Sequence, residues 1–151
     1  MTTVVIGIGN PDRGDDGVGA AVARLLAPRL PPEIPVSARA GDLTSLLYDW
    51  AGADSAICID ASEPAGSPGR IRRLDLARDS LPADLTPISS HGFGLAEMVV
   101  LARTLGQAPT SIIVYAIEGL CFDPGAALSP PVIASVVTAA DLIASELRAL
   151  S

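Results

Sequence analysis

The sequence predicts an α/β domain of three layers, with a twisted, mostly parallel or mixed sheet held between helices. Three observations carry that expectation. The runs Thr3–Ile8, Ser55–Asp60 and Thr110–Ile117 are almost wholly apolar or β-branched, as strands covered on both faces are. Segments with helical apolar spacing alternate with them. The chain of 151 residues is 49% hydrophobic and 18% charged, with no repeat, low-complexity tract or linker, so residues 1–151 read as one domain with one sizeable core. Aromatic residues make up only 3%, which leaves Ala, Leu, Ile and Val to fill that core.

Thr3–Ile8 is the first strand. A glycine-rich turn, Gly7-Ile8-Gly9-Asn10 through Gly14-Asp15-Asp16-Gly17-Val18-Gly19, leads into a helix over about Asp15–Leu26 with Val18, Ala21, Val22 and Leu25 in register. Prolines from Pro28 to Pro35 end it, and Val36–Ala40 is a short strand. Asp42 is placed to cap a helix that turns Leu43, Leu46, Leu47 and Trp50 to one face. Ser55–Asp60 is a buried strand with a carboxylate at its carboxyl end. Ala61–Gly69, with two prolines and two glycines, reads as a loop. Arg70–Leu76 alternates weakly and suggests an edge strand, and Asp79–Pro87 is irregular. A second glycine-rich loop, Ser89-Ser90-His91-Gly92-Phe93-Gly94, opens a helix with Leu95, Met98, Val99, Ala102 and Leu105 in register, stopped by Gly106. After the strand Thr110–Ile117 and the loop Glu118–Leu128, Ser129 is placed to cap a last helix. Its first turn holds Pro130 and Pro131, and its apolar face holds Val132, Val136, Ala140, Ile143 and Leu147.

The totals exclude several classes. A formal net charge of −7 and a pI near 4.4 argue against nucleic acid, which is bound by neutralising phosphates with Lys and Arg. No apolar run reaches the roughly 18–20 residues of a membrane span, and no basic-then-apolar leader opens the chain, so a cytoplasmic protein is expected. Cys58 and Cys121 form no Cys-x-x-Cys pair. Neither a disulfide framework nor a zinc knuckle is suggested, and Cys58 reads as a core residue.

In an open α/β sheet, ligands bind outside the carboxyl ends of the strands. Three polar residues fall there. Asp16 lies in the loop after the first strand, Asp60 closes the central strand, and His91, the one histidine of the chain, sits in the second glycine-rich loop. Two carboxylates and an imidazole suit a divalent transition metal and leave positions for water or substrate. Separations of 44 and 31 residues carry no local signature. Each residue also has a plainer reading: Asp16 as a helix cap or dipole partner, Asp60 as a partner of its own turn, His91 as a surface hydrogen-bonding residue. Other templates fail. The dinucleotide fingerprint needs glycine where Asp12 stands, no Walker sequence occurs, and there is no Gly-x-Ser-x-Gly elbow.

Gly7-x-Gly9-Asn10 with Gly14-Asp15-Asp16-Gly17-x-Gly19 resembles the N-terminal signature of hydrogenase maturation proteases. The resemblance continues through Asp60-Ala61, Ser90-His91-Gly92-Phe93-Gly94-Leu95, Tyr115-Ala116-Ile117-Glu118 and Leu128-Ser129-Pro130, in the family's order over nearly the whole chain. It implies a phosphorylase/hydrolase-like fold of about five strands between helices. It also implies an endopeptidase, often classed as aspartic-type, that trims the C-terminal extension from the large-subunit precursor of a nickel–iron hydrogenase. The implied metal-contacting and catalytic trio falls on Asp16, Asp60 and His91. The implied metal is nickel carried by the substrate, for which other divalent ions can substitute, and the implied partner is the precursor itself, with neither nucleic acid nor membrane. On the same reading Asp15 is structural, and Gly9, Gly14, Gly17, Gly19, Gly92 and Gly94 let the substrate backbone approach. One departure stands out. Many members carry Asp-Gly-Gly-Thr after the second strand, where this chain has Arg39-Ala40-Gly41-Asp42. Three rival classes stay open: a nickel-checking chaperone that does not cut, a nucleotide-binding α/β module, and a metal-dependent hydrolase of small molecules.

Overall fold

Every apolar run predicted as a strand enters one sheet. The computed structural model describes residues 2–85 and 94–150. Its elements are the strands β1 (Thr3–Ile8), β2 (Val36–Arg39), β3 (Ser55–Ser62), β4 (Ile71–Asp75) and β5 (Ser111–Glu118), with helices α1 (Val18–Leu26), α2 (Leu46–Trp50), α3 (Leu95–Thr104) and α4 (Pro130–Ala149). The sheet order is β2-β1-β3-β5-β4. All pairings are parallel except β4 against β5, which is antiparallel, so the sheet is mixed.

Period-2 alternation sends neighbouring side chains to opposite faces, and both faces are apolar. Val4, Ile6, Ile8, Ala56, Cys58 and Val114 pack with Leu46, Trp50, Leu95 and Met98, under α2 and α3. Val5, Ile57, Ile59, Tyr115 and Ile117 pack with Val18, Val22, Val132, Ile143 and Leu147, under α1 and α4. The layers α2/α3, sheet and α1/α4 are the three expected. Two helical details differ from the sequence reading. Leu105 is exposed because α3 stops at Thr104 and Gly106 turns the chain at φ +69°. The first helix starts later than Asp15, since Gly14–Gly17 form a 3-10 turn whose carboxylates are committed elsewhere.

One ion-pair cluster ties α4 to the sheet. Arg73 of β4 donates through Nε and a terminal nitrogen to the two Glu146 oxygens, at 2.9 and 2.8 Å, and Tyr115 donates its hydroxyl to the same carboxylate. The Arg73 guanidinium, helped by Tyr115 and opposed by burial, holds the Glu146 carboxyl below its ordinary value. A depressed carboxyl stabilises the fold above its unfolded pKa, and that contribution is lost as pH falls through the folded value. Glu146→Gln is therefore expected to lower stability by about 1 kcal/mol at pH 7, with the difference shrinking as pH falls below the ordinary glutamate range. Urea unfolding of both proteins at pH 7 and below that range checks this.

Candidate active site

The strand order reverses between β1 and β3. From β1 the chain leaves through α1 toward β2, whereas from β3 it runs the other way toward β5 and β4. The crevice outside the carboxyl ends of two such strands is where an α/β sheet binds ligands. Asp16 and Asp60 are both there, and both are buried, at 3% and 1% exposure.

Asp16 arrives on the 3-10 turn after β1. Its Oδ2 accepts the Asn10 N–H at 2.8 Å, while its Oδ1 is buried with no hydrogen-bond partner among the described residues. Asp60 lies on β3, and its Oδ1 accepts the N–H of Ala61 at 2.8 Å. Burial raises the pKa of Asp16 against the opposing pull of the Asn10 N–H and Arg13. Burial also drives Asp60 well above the ordinary carboxylate range. The Ala61 N–H opposes this, and the nearby charge of Asp16 adds to it. Two desolvated carboxyl groups of like charge, one with a bare oxygen, gain from a cation set between them. The orphaned Asp16 oxygen and the Asp60 carboxylate are hard oxygen donors able to contribute to the coordination of a divalent cation.

Asp15, one residue earlier, has the opposite surroundings. It accepts from the N–H groups of Leu120, Cys121 and Ser129 at 2.7, 3.1 and 2.7 Å, and from the Ser129 hydroxyl at 2.8 Å. Burial works against its ionisation, but these donors outweigh it and leave the pKa lowered. Asp15 thereby clasps the loop after β5 to the loop after β1. Ser129 occupies the N-cap position of α4, where its hydroxyl donates to Asp15 and accepts no capping bond.

The glycines of the first loop are filled by the chain itself and not by a substrate. At Gly9, φ is +125° and a Cβ would fall on the Asp16 carbonyl. At Gly19 a Cβ would meet the Ile59 carbonyl oxygen at 2.5 Å and the Ile8 nitrogen and oxygen at 2.6 Å. Cys121 and Pro11 close over Gly14 and Gly17 in the same way. Close approach is indeed what these glycines permit, but it presses α1 and its loop onto β1 and β3.

Arg39, at the position of the expected aspartate, grips Asp49 of α2 through two hydrogen bonds of 2.9 and 2.7 Å. Asp42 caps the turn after β2 by accepting the Thr44 N–H at 3.0 Å, so its carboxylate serves the backbone. His91, with Ser89, Ser90, Gly92 and Phe93, lies outside the described residues. Among the described residues no group of three His, Cys, Asp or Glu is gathered, and the pair Asp16–Asp60 is what the structure brings together. The described residues just before the histidine segment are tied to the end of β3. Glu63 donates its N–H to the Asp84 carbonyl at 2.7 Å, Leu85 pairs with Ser62, and α3 begins at Leu95.

Two residues that the sequence reading left out stand at this edge. Glu118 accepts the N–H groups of Ala65 and Ser67 at 2.9 and 2.6 Å, folding the loop after β3 onto β5. Ser62 is buried, and its hydroxyl has no partner among the described residues. Assigning Ala61–Gly69 to a loop hid both roles, since β3 continues to Ser62 through register with Ile117 and Glu118.

Comparison with known proteins agrees with this architecture. The family model described as hydrogenase maturation protease matches residues 40–146. The chain is 28% identical to the hydrogenase 2 maturation protease of Escherichia coli K12, over 98% of this chain and 92% of that protein. It superposes on the hydrogenase maturating endopeptidase HybD from E. coli with a TM-score of 0.83 and 27% identity, covering 100% of this chain and 94% of the other. The [NiFe] hydrogenase maturation protease HybD from Thermococcus kodakarensis gives a TM-score of 0.74 and 25% identity, over 97% and 99% of the two chains. With its mixed five-stranded sheet and its buried acidic pair at the switch point, this chain belongs to the hydrogenase maturation protease family and is a peptidase.

Proposed function

We propose that this peptidase removes the C-terminal extension of a nickel–iron hydrogenase large-subunit precursor once nickel has been inserted. Asp16, Asp60 and His91 would complete the coordination of the nickel that the precursor carries, and so report that loading has occurred. The observation that supports this reading is the buried, unpartnered Oδ1 of Asp16 beside a carboxyl group that burial already holds toward its protonated form. A site with so few strong ligands docks a metal held by another protein without stripping it out. The raised proton affinity of the pair suits one carboxylate to take a proton from the water that attacks the scissile carbonyl carbon. That proton then passes to the departing amine as the C–N bond breaks. Nickel held by the substrate polarises the carbonyl. The setting proposed is the cytoplasm, where the free thiols of Cys58 and Cys121 stay reduced.

The test uses the large-subunit precursor with and without nickel, incubated with the wild type and with His91→Ala and followed by intact mass. Loss of a C-terminal peptide from the loaded precursor alone, abolished by His91→Ala, is the expected result. A precursor that forms a complex yet keeps its full length in every mixture overturns the protease reading in favour of a nickel-checking chaperone.

A further inference from the structure

We infer that Ser62 is a substrate-positioning residue of this peptidase, its hydroxyl kept to donate a hydrogen bond to a backbone carbonyl of the precursor segment being cut. The inference rests on the precursor-processing reading above. A buried hydroxyl without a partner costs about 1–3 kcal/mol, and such groups are rare enough in folded proteins to call for a use. Ser62 is 1% exposed, and its Oγ has no partner among the described residues.

Its place in β3 says what the use is. Side chains two residues apart on a strand share a face at a spacing of about 7 Å, so Ser62 follows Asp60 along the side turned away from Ala61. Ala61 packs in the α1/α4 layer, which leaves Asp60 and Ser62 on the α2/α3 side. Opposite Asp60 on β5 stands Ala116, which carries no polar group.

The nearby polar groups each have partners of their own, and none is within hydrogen-bond distance of the hydroxyl among the described residues. Glu118, the register partner of Ser62, spends a carboxylate oxygen on Ala65 and Ser67. Asp84 is held by Arg72 through both its oxygens, at 2.9 Å each. Asp60 Oδ1 accepts from Ala61, and the carbonyl of Ser62 itself accepts the Gly119 N–H at 2.9 Å.

A serine nucleophile is not the reading, because no base contacts Oγ to activate it. The carboxylates of Asp16 and Asp60, once ionised, can only accept hydrogen bonds. A donor is the complement they lack, and an extended peptide offers its carbonyls to such a donor.

Steady-state processing of the nickel-loaded precursor over a range of precursor concentrations tests this with the wild type, Ser62→Ala and Ser62→Thr, each protein also melted thermally. The expected result for Ser62→Ala is a KM raised about tenfold, with kcat changed less than about threefold and a Tm equal to or above that of the wild type. Ser62→Thr, which keeps the hydroxyl on a β-favouring side chain, restores KM. An unchanged KM in Ser62→Ala, a fall in kcat alone, or a lowered Tm with no rescue by threonine overturns the inference and leaves the peptidase reading intact. A wild type that leaves the loaded precursor uncut overturns both.

Discussion

Asp60→Asn is expected to lower processing of the precursor by about 10²–10⁴-fold while making the unliganded protein melt higher at neutral pH. The two effects have one cause. Asp60 is buried on β3, and burial is the largest influence holding its carboxyl in the protonated form. With its folded pKa raised above the unfolded one, the native state keeps a proton that the unfolded chain has released. Stability then falls as pH climbs above the ordinary aspartate range, until the folded value is reached. Asparagine has the same shape, retains an oxygen for the Ala61 N–H, and carries no charge to desolvate. It should therefore melt above the wild type at pH 7.5, with the gap closing toward pH 4. It offers neither an anionic ligand nor a proton acceptor, so cutting should stop. Melting curves at the two pH values and intact-mass assays of the precursor check both halves. A variant that cuts within tenfold of the wild type would remove Asp60 from the chemistry, and one that melts lower at pH 7.5 would contradict the burial argument.

Gly19→Ala should be the more damaging change to the fold. The added methyl would lie 2.5–2.6 Å from three backbone atoms on β1 and β3, and none of these can move without opening the sheet. Flexible side chains absorb such collisions, whereas backbone passes them on. The substitution has to lift α1 off the sheet and with it Val18 and Val22, both fully buried. A loss of at least about 3 kcal/mol is expected, equivalent to a fall in Tm of about 6–12 °C for a domain this size. Because the turn carrying Asp16 is continuous with α1, precursor processing should fall too. A Tm within about 2 °C of the wild type would show that the α1–sheet packing is looser than described.

How far the sequence could lead depends on where each signal lies. Ala56-Ile57-Cys58-Ile59 and Ile112-Ile113-Val114 announce strands by composition, and they are strands at the positions expected. Arg70–Leu76 alternates only weakly because β4 is half-exposed at the sheet edge. Its antiparallel sense follows from pairing with β5, which no local pattern records. Asp16 and Asp60 were legible as site candidates because topology alone sends the ends of β1 and β3 to the ligand edge. The contrast between Asp15 and Asp16 was not legible from spacing. It depends on Leu120, Cys121 and Ser129, more than a hundred residues away in the chain, which saturate one carboxylate, whereas the other keeps one oxygen without a partner among the described residues. Ser62 was hidden for a similar reason: Ala61-Ser62 before Glu63-Pro64 reads as the start of a loop, and only register with β5 carries β3 onward.

Reversed relative to its one neighbour, β5, the edge strand β4 closes the sheet with charge. Successive side chains of that strand point to opposite sides, and each side carries a fastened arginine, Arg72 to Asp84 on one and Arg73 to Glu146 on the other. A foreign strand laid along this border would have to loosen two guanidinium–carboxylate pairs before it could share backbone hydrogen bonds, the kind of guard that keeps exposed sheet margins from templating aggregates. Crowding can bring copies of the chain together, but at this margin it offers them no ready seam for fibril growth.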